Sequence, residues 1–380
     1  MYQEVVDYIR SIFKTDKFIP LHEPRFSGNE KKYVNDAIDS TFVSSVGEYV
    51  NRFEQKICEY TGAGFAVATV NGTSALHIAL MLVGVSAETE VIAPPLSFVA
   101  TANAIHYCGA KPIFLDVEKT TLGLSPMALS NFFEHRTTMG KDGFCYNRHT
   151  RNRISACVPV HIFGHPCRID EIIAICGQHN IPVVEDAAES LGSFYEGRHT
   201  GTFGKMGIFS FNGNKTVTCG GGGAIVTDDD SLAVRAKHLT TTAKVPHPYQ
   251  YVHDEVGYNY RLPNLNAALA CAQLEQLERF IENKRELARK YSEFFRKLGI
   301  GFIKEPENAR SNCWLNAIIM ENLERRDHFL DFTNRSQVMT RPIWTLMNEL
   351  PMFQSCMTDG LRNSKWLEER VVNIPSSVRI

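Results

Sequence analysis

The chain carries no strong excess of charge of either sign. Its 380 residues include 40 Lys and Arg against 42 Asp and Glu, which gives a formal net charge of −2. This balance provides no electrostatic reason to expect a nucleic-acid partner. The sequence also lacks a run of eighteen apolar residues, so we expect no membrane-spanning helix.

A secretory signal is not apparent at the N-terminus. Residues 1–10 lack the basic start and the apolar core of a signal peptide, so we expect a cytoplasmic protein. Apolar residues make up 44% and charged residues 22% of the chain, as in ordinary globular proteins. The length is sufficient for a large core and is long for one domain.

Paired cysteines are also missing. None of the ten cysteines forms a Cys-x-x-Cys motif, so we interpret them as small core residues rather than as disulfides. Cys157, His161, His165 and Cys167 are residue types that bind zinc. However, 157–161 has the pattern of a buried strand and a turn follows it, so we expect no metal.

Short apolar strands alternate with helices over the first two thirds of the chain. This alternation predicts an α/β fold with a mostly parallel sheet that helices cover on both faces. After residue 240 the pattern changes to a long helix at 265–298, two short strands and a final helix near 363–370. We therefore expect a large domain at 1–245 and a smaller α+β domain at 246–380. The predicted strands of the large domain are 67–70, 90–93, 111–116, 156–161, 181–185, 207–211 and 224–226.

Lys215 lies in the most informative segment of the chain, between an apolar strand and a run of four glycines. Burial disfavours the ammonium form of a lysine and frees its amine to attack a carbonyl, which Schiff-base chemistry requires. Ser210 could bind a phosphate, and the glycines allow backbone to approach a bulky ligand. On spacing alone, a surface lysine in a glycine-rich loop explains the pattern about equally well.

Asp186 comes at the C-terminal end of a segment, 182–189, that has the pattern of a buried parallel strand. Ligands of open α/β sheets bind outside the carboxyl ends of strands, so Asp186 is predicted to lie at a ligand site. Pyridoxal phosphate requires a carboxylate at its ring nitrogen, because only the protonated pyridine is a good electron sink. Alone, a helix cap or a structural carboxylate would be the better interpretation.

A third feature is the turn at Asn71-Gly72, which leads from a short strand into an apolar helix at Thr73 and Ser74. Free backbone N–H groups and the helix dipole make such a helix start a site for an anion, such as a cofactor phosphate. An ordinary Ser/Thr cap is the common alternative. The three features together, in this order, are hard to explain as coincidence.

These residues resemble the DegT/DnrJ/EryC1/StrS family of aminotransferases, which use pyridoxal phosphate and act mainly on nucleotide-linked keto sugars. The resemblance covers nearly the whole chain, from residue 19 to residue 377. The segments that carry it are Asn71-Gly-Thr-Ser74, Ser97-Phe-Val-Ala-Thr101, Val160-His-Ile-Phe-Gly164, Glu185-Asp-Ala-Ala188, Phe209-Ser-Phe211 with Lys215, and Gly257-Tyr-Asn-Tyr-Arg261.

The resemblance implies a fold-type-I pyridoxal-phosphate transferase in which Lys215 and Asp186 are catalytic. Lys215 would hold the cofactor and then move the proton during transfer, and Asp186 would pair with the pyridinium nitrogen. Glu189 stands where many relatives carry glutamine or histidine, so its role near the ring is open. The remaining cofactor-binding residues implied are Phe98 against the ring, Gly72, Thr73, Ser74 and Ser210 at the phosphate, and Asn259 reaching the phosphate from the partner subunit of a homodimer.

The resemblance also implies two substrates that are used in turn. L-Glutamate would leave its amino group as pyridoxamine phosphate, and a UDP- or GDP-linked keto sugar would receive it. The segment 340–347 resembles the branch that makes 4-amino-4,6-dideoxy-N-acetylhexosamines for legionaminic-acid-like or bacillosamine-like sugars.

Three other functions are less consistent with the sequence. A sugar 3-dehydratase of this family carries histidine in place of the lysine, and a non-catalytic sensor would have lost it, whereas Lys215 is present. A nicotinamide enzyme would carry Gly-x-Gly-x-x-Gly after its first strand, and the sequence has no such turn there.

Overall fold

The computed structural model of the chain describes residues 1–379. Twelve α-helices and seventeen strands lie within this range, together with short 3₁₀ turns at 162–164 and 347–349. No helix in these residues is long and apolar enough to cross a membrane. The α-helices are α1 Tyr2–Phe13, α2 Glu30–Asp39, α3 Glu48–Thr61, α4 Gly72–Leu82, α5 Ala100–Tyr107, α6 Pro126–Arg136, α7 Ile169–Gln178, α8 Asp230–Thr240, α9 Asn264–Leu274, α10 Leu277–Lys297, α11 Leu323–Arg335 and α12 Arg362–Glu368.

The strands are short, and most of them belong to two sheets. They are β1 Phe65–Thr69, β2 Thr89–Ala93, β3 Lys111–Phe114, β4 Thr137–Met139, β5 Cys145–Asn147, β6 Arg153–Cys157, β7 Val184–Asp186, β8 Phe194–Tyr195, β9 Arg198–His199, β10 Met206–Ser210, β11 Gly223–Thr227, β12 Gly301–Phe302, β13 Ala309–Arg310, β14 Asn316–Ile319, β15 Arg341–Pro342, β16 Met357–Thr358 and β17 Val371–Ile374.

The central sheet is mostly parallel, as predicted. One part has the order β1-β11-β10-β7 and the other has the order β16-β3-β2-β6-β5-β4. Parallel bridges between Cys157 and Val183 and between Val160 and Asp186 join the two parts between β6 and β7. The strands β7, β10, β6, β2 and β3 pair in parallel, whereas β11 runs antiparallel to β1 and β10.

Helices cover both faces of this sheet because successive side chains of a strand point to opposite faces. On β10, Ile208 packs with α4, α5 and α8, whereas its neighbour Phe209 packs with α3 and α9. Both side chains are buried. The predicted α/β class with helices on both faces is therefore confirmed.

The C-terminal part forms its own sheet in the order β12-β14-β17-β15. The apolar face of α1, with Val5, Val6 and Ile9, packs in the same core as Phe329 of α11 and Ile374 of β17. The first helix of the chain thus lies against the last sheet. The division between residues 245 and 246 stays a prediction.

The predicted elements are present, with shifted ends. Each of the seven predicted strands overlaps an observed strand. The single long helix predicted at 265–298 is wrong, because α9 and α10 are separated at Glu275 and Gln276. The Glu275 carboxylate accepts hydrogen bonds from Asn29, Tyr33 and Arg52, which fix the break against α2 and α3.

The cysteines occupy the interior, as predicted. All ten are free, and seven of them are buried. The carboxyl ends of the parallel strands β7 and β10 lie beside the start of α4, so Asp186, Ser210 and Gly72 lie close together at one edge of the sheet.

Candidate active site

A cavity of about 620 Å³ opens at this edge of the sheet. Most of the lining residues lie between positions 71 and 215, and the C-terminal part of the chain adds Trp314, Leu315, residues 341–345 and Asn373. Of the residues predicted for the site, Ser74 and Asn259 do not line the cavity. Those that line it are Gly72, Thr73, Phe98, Asp186, Glu189, Ser210 and Lys215.

Lys215 lies in the loop after β10, and its side chain is only 13% exposed. Its Nζ is 3.4 Å from Oε1 of Glu189 and 4.0 Å from the ring centre of Trp314. The indole N–H of Trp314 donates to the carbonyl of Asn214 at 2.7 Å, which holds the ring beside the lysine. The amine is therefore directed into the cavity region by a carboxylate and an aromatic face.

Asp186 ends β7, and its residue is only 6% exposed. Its Oδ2 accepts a hydrogen bond from the Thr101 hydroxyl at 2.7 Å, and its Oδ1 accepts from the Ala188 N–H at 3.2 Å. Burial raises the pKa of Asp186, while these two hydrogen bonds and the charge of Lys215 act to lower it. A cationic ring nitrogen beside this carboxylate would favour its ionised form.

Glu189 has a defined position, although the sequence left its role open. Its Oε2 accepts from the backbone N–H of Phe163 at 2.8 Å, and its Oε1 faces Lys215. Burial raises the pKa of Glu189, and the charge of Lys215 lowers it. Phe163 has a φ of 56°, in the left-handed region, so the chain turns sharply there and brings the Phe163 N–H to the Glu189 carboxylate.

The start of α4 forms a compact turn against β10. Asn71 caps the helix by accepting from the Ser74 N–H at 2.8 Å. A Cβ added at Gly72 would lie 3.0 Å from Cβ of Ser210, so glycine allows the two segments to approach. The N-terminus of α4 is suited to binding a phosphate group, together with the hydroxyl groups of Thr73 and Ser210. Ser74 does not line the cavity, and its predicted role at the phosphate stays a prediction.

The predictions for Phe98 and Asn259 have different outcomes. Phe98 lines the cavity and is 54% exposed, so its ring is accessible to a bound group. Asn259 is exposed outside the cavity, and its Oδ1 accepts from Arg261 at 3.2 and 3.0 Å. Its predicted role at the phosphate of a partner subunit stays a prediction.

Of the four side chains of zinc-binding type, His161 and Cys167 contact each other, whereas Nδ1 of His165 has no hydrogen-bond partner in residues 1–379. Nε2 of His161 is 3.0 Å from Oε2 of Glu185, and Nδ1 of His161 is 3.7 Å from Sγ of Cys167. Within residues 1–379, the one group of such side chains close enough for a shared ion is the partly exposed set His238, Asp254 and Glu255.

Several residues that shape the cavity were not assigned a role from the sequence. Thr101 lies within the family-typical segment 97–101, but nothing in the pattern of this segment shows that Thr101 hydrogen-bonds Asp186. Trp314, Arg341 and Asn373 come from the C-terminal part of the chain. Only the packing of the two parts brings them to Lys215.

The residues present fit pyridoxal phosphate. The cavity combines a lysine amine, a buried aspartate at a strand end, an accessible phenyl ring and a helix N-terminus beside a serine. These groups match, in turn, the aldehyde, the ring nitrogen, the ring face and the phosphate of that cofactor.

Comparison with known proteins agrees with this geometry. The sequence model of the DegT/DnrJ/EryC1/StrS aminotransferase family matches residues 24–380. The GDP-perosamine synthase of Escherichia coli O157:H7 is 38% identical over 337 residues, which are 89% of this chain and 87% of the relative. The putative pyridoxal phosphate-dependent aminotransferase EpsN of Bacillus subtilis is 36% identical over 342 residues, which are 90% and 85% of the two chains.

A solved structure gives the same result for the fold. The DegT DnrJ EryC1 StrS aminotransferase from Brucella abortus superposes with a TM-score of 0.82 at 26% identity, covering 92% of this chain and 90% of that one. The chain therefore belongs to the DegT/DnrJ/EryC1/StrS family, and it is a pyridoxal-phosphate-dependent sugar aminotransferase of the nucleotide-sugar type.

Proposed function

We propose that this enzyme transfers the amino group of L-glutamate to C4 of a nucleotide-linked 4-keto-6-deoxy-(N-acetyl)hexosamine. The product would serve the synthesis of a bacterial surface glycan or a nonulosonic acid in the cytoplasm. The observation that carries the proposal is the placement of Lys215 and Asp186 on one cavity that residues 341–345 also line. The bound cofactor supplies an electron sink that makes the Cα proton of the donor acidic.

Lys215 acts as the amine that holds the cofactor and then as the base. Once free, its Nζ would carry the proton from Cα of glutamate to the cofactor in the first half-reaction, and it would carry a proton from the cofactor to C4 of the sugar in the second. Glu189 at 3.4 Å and the face of Trp314 at 4.0 Å keep the amine near one position through these steps. Positioning of this kind supports rate because the reacting atoms already lie close together.

Asp186 maintains the protonated state of the cofactor ring nitrogen. Its carboxylate is held by Thr101 and by the Ala188 N–H, so its orientation is fixed before the ligand binds. A buried negative charge in this position favours a proton on the ring nitrogen facing it.

The other residues hold the cofactor. Phe98 would cover one face of the ring, and the start of α4 at Gly72, Thr73 and Ser74 would bind the phosphate with Ser210. We propose that Asn259 reaches the same phosphate of a partner subunit in a homodimer. Its exposure and its place outside its own cavity support this assignment.

The nucleotide is best sought first among guanosine derivatives. The Escherichia coli relative is a GDP-perosamine synthase, and it aligns with 89% of this chain. The sequence itself leaves UDP and GDP open.

The experiment is a substrate panel for the purified holoenzyme. With glutamate as donor, GDP- and UDP-linked 4-keto-6-deoxy sugars, with and without an N-acetyl group, are followed by mass spectrometry. We expect one of them to gain an amino group with wild-type enzyme and not with the Lys215→Ala variant. Amination of none of these sugars by an enzyme that still deaminates glutamate would refute the proposed acceptor class.

A further inference from the structure

We propose that Arg341 and Asn373 form one polar subsite that binds the anionic group of both substrates in turn. The ligand class is a carboxylate of the amino donor in the first half-reaction and a phosphate of the nucleotide in the second. This inference rests on the proposed function, since it names the group that recognises both of its substrates.

The two residues lie side by side on the C-terminal sheet. Arg341 of β15 is the direct partner of Asn373 of β17 in an antiparallel pair. Residues directly opposite each other in such a pair project their side chains to the same face. Both residues line the cavity that contains Lys215. The subsite therefore shares one cavity with the reacting amine.

Arg341 is the cation of this cavity that is available to a ligand. Among the residues that line the cavity, only Lys215 and Arg341 carry a positive side chain. Lys215 is engaged by Glu189 and Trp314. In residues 1–379, by contrast, the exposed Arg341 guanidinium forms no ion pair and donates no hydrogen bond.

Asn373 adds a buried acceptor to the subsite. The residue is only 4% exposed, and its Oδ1 has no hydrogen-bond partner within the described chain. A buried polar atom without a partner is costly, so a rotation of the amide that lets Oδ1 accept from a ligand donor would be stabilising. The hydroxyl groups of a nucleotide sugar are such donors, whereas the amine of glutamate is the group transferred and stays at the reacting centre.

The chemistry of amino transfer explains why one subsite would serve both substrates. The donor and the acceptor occupy the same cavity at different times, because each must bring its reacting atom to the same lysine. Glutamate has two carboxylates, and a nucleotide sugar has two linked phosphates. A guanidinium can bind either oxyanion with two parallel hydrogen bonds, which a lysine ammonium cannot do with the same geometry.

The test measures two ligands separately on the holoenzymes of Arg341→Gln and Arg341→Lys. The first is glutamate, whose half-reaction is followed by the absorbance of the bound cofactor in a stopped-flow instrument. The second is GDP or UDP, whichever the wild type binds more tightly, measured by calorimetry. We expect Arg341→Gln to weaken both ligands about tenfold or more, with a smaller change in the maximal rate of the glutamate step. Arg341→Lys should recover part of the affinity for each.

Two further variants complete the design. Asn373→Asp keeps the shape of the side chain but places a carboxylate beside Arg341, so it should weaken both ligands as well. Arg335→Gln removes an arginine of α11 that is 79% exposed and pairs with Asp331 outside the cavity, so it should change neither ligand.

The shared subsite would be overturned if Arg341→Gln lost affinity for only one of the two ligands. It would also be overturned if the wild type bound neither nucleotide. Neither result would refute the proposed amino transfer, which the sugar panel tests independently. Conversely, failure of the panel with a loss for both ligands would leave the subsite supported and the acceptor sugar wrong.

Discussion

Two buried carboxylates lie near Lys215, and they differ in what they contact. Glu189 lies 3.4 Å from the lysine amine, whereas Asp186 is held by Thr101 and by a backbone N–H. Glu189 is therefore positioned to orient the free amine, and Asp186 is positioned to face a separate cationic group. The burial that raises the pKa of both carboxylates makes a cation beside each one more important.

The Asp186→Asn variant tests this assignment. The amide can still accept from Thr101, so we expect the fold and most cofactor binding to remain. It cannot stabilise a protonated ring nitrogen, so turnover should fall by at least about a hundredfold. The measurement is steady-state turnover at saturating cofactor, with Asp331→Asn on the exposed face of α11 as the matched control. Turnover within about threefold of wild type would mean that Asp186 is merely structural.

A second residue-scale prediction concerns Gly72. A Cβ at this position would lie 3.0 Å from Cβ of Ser210, so Gly72→Ala should push the start of α4 away from β10. We expect cofactor affinity to fall about tenfold while the protein stays folded, because one or two hydrogen bonds to the phosphate are stretched. Cofactor titration by fluorescence measures the effect. Gly177→Ala in α7, where an added Cβ meets no atom within 4 Å, should bind the cofactor like the wild type.

At the scale of elements, α10 connects the C-terminal sheet to the cavity through one buried lysine. Lys284 is 0% exposed, and its Nζ donates to the carbonyls of Trp314 at 3.0 Å and Ser376 at 2.6 Å. Since Trp314 also covers Lys215, the ammonium of α10 fixes a wall of the cavity from behind. Burial without a carboxylate partner lowers the pKa of Lys284 to about 7.

This burial gives the stability of the protein a specific pH dependence. The folded chain releases the Lys284 proton near pH 7, whereas the unfolded chain keeps it to about 10.5. The unfolded state therefore binds more protons in that window, and stability rises with pH across it. Below about pH 7 the buried ammonium destabilises the folded state by its full amount. Above about pH 10.5 the lysine is neutral in both states, and this destabilisation is gone.

We expect the melting temperature of the wild type to rise relative to that of Lys284→Met as the pH increases from about 7 to about 10.5. The change in the free energy of unfolding is on the order of a few kcal/mol. Differential scanning fluorimetry of both proteins over the pH range gives the difference. Lys297→Met, an exposed lysine at the end of α10, is the control and should follow the wild type. A difference between wild type and Lys284→Met that is independent of pH would contradict the account.

The elements also show what the sequence can and cannot predict. Lys215, Asp186 and the turn at Gly72 were predictable because each lies at the end of a strand or the start of a helix with a clear local pattern. The break at Glu275 was not, because apolar spacing continues through it and the contacts that fix it come from α2 and α3. Arg341 and Asn373 were not assigned a role, because their neighbourhood exists only once β15 and β17 pair.

At the scale of the whole molecule, one predicted site residue is separated from the cavity of its own chain. Asn259 is exposed, while residues nearby such as Tyr249, Tyr251 and Val256 are at least 80% exposed. We propose that the segment 257–261, which carries Asn259, crosses to a second copy in a two-fold dimer, so that each site is completed by both subunits.

Complementation between impaired subunits tests the composite site. Mixed dimers of Lys215→Ala and Asn259→Ala chains should contain one site with both defects and one with neither. Since about half of the dimers are mixed and half of their sites are intact, activity should recover to about a quarter of wild type. Absence of recovery, with subunit exchange proven and each parent impaired, would mean that Asn259 serves its own chain or no cofactor at all.

The most direct test of amino transfer itself follows the nitrogen atom. The holoenzyme is incubated with ¹⁵N-labelled L-glutamate and the keto sugar that the panel identifies, and the product is analysed by mass spectrometry and NMR. We expect a nucleotide sugar that carries ¹⁵N on C4, with one 2-oxoglutarate formed for each amino sugar. A product that has lost water without gaining labelled nitrogen, or a label on another carbon, would contradict this expectation.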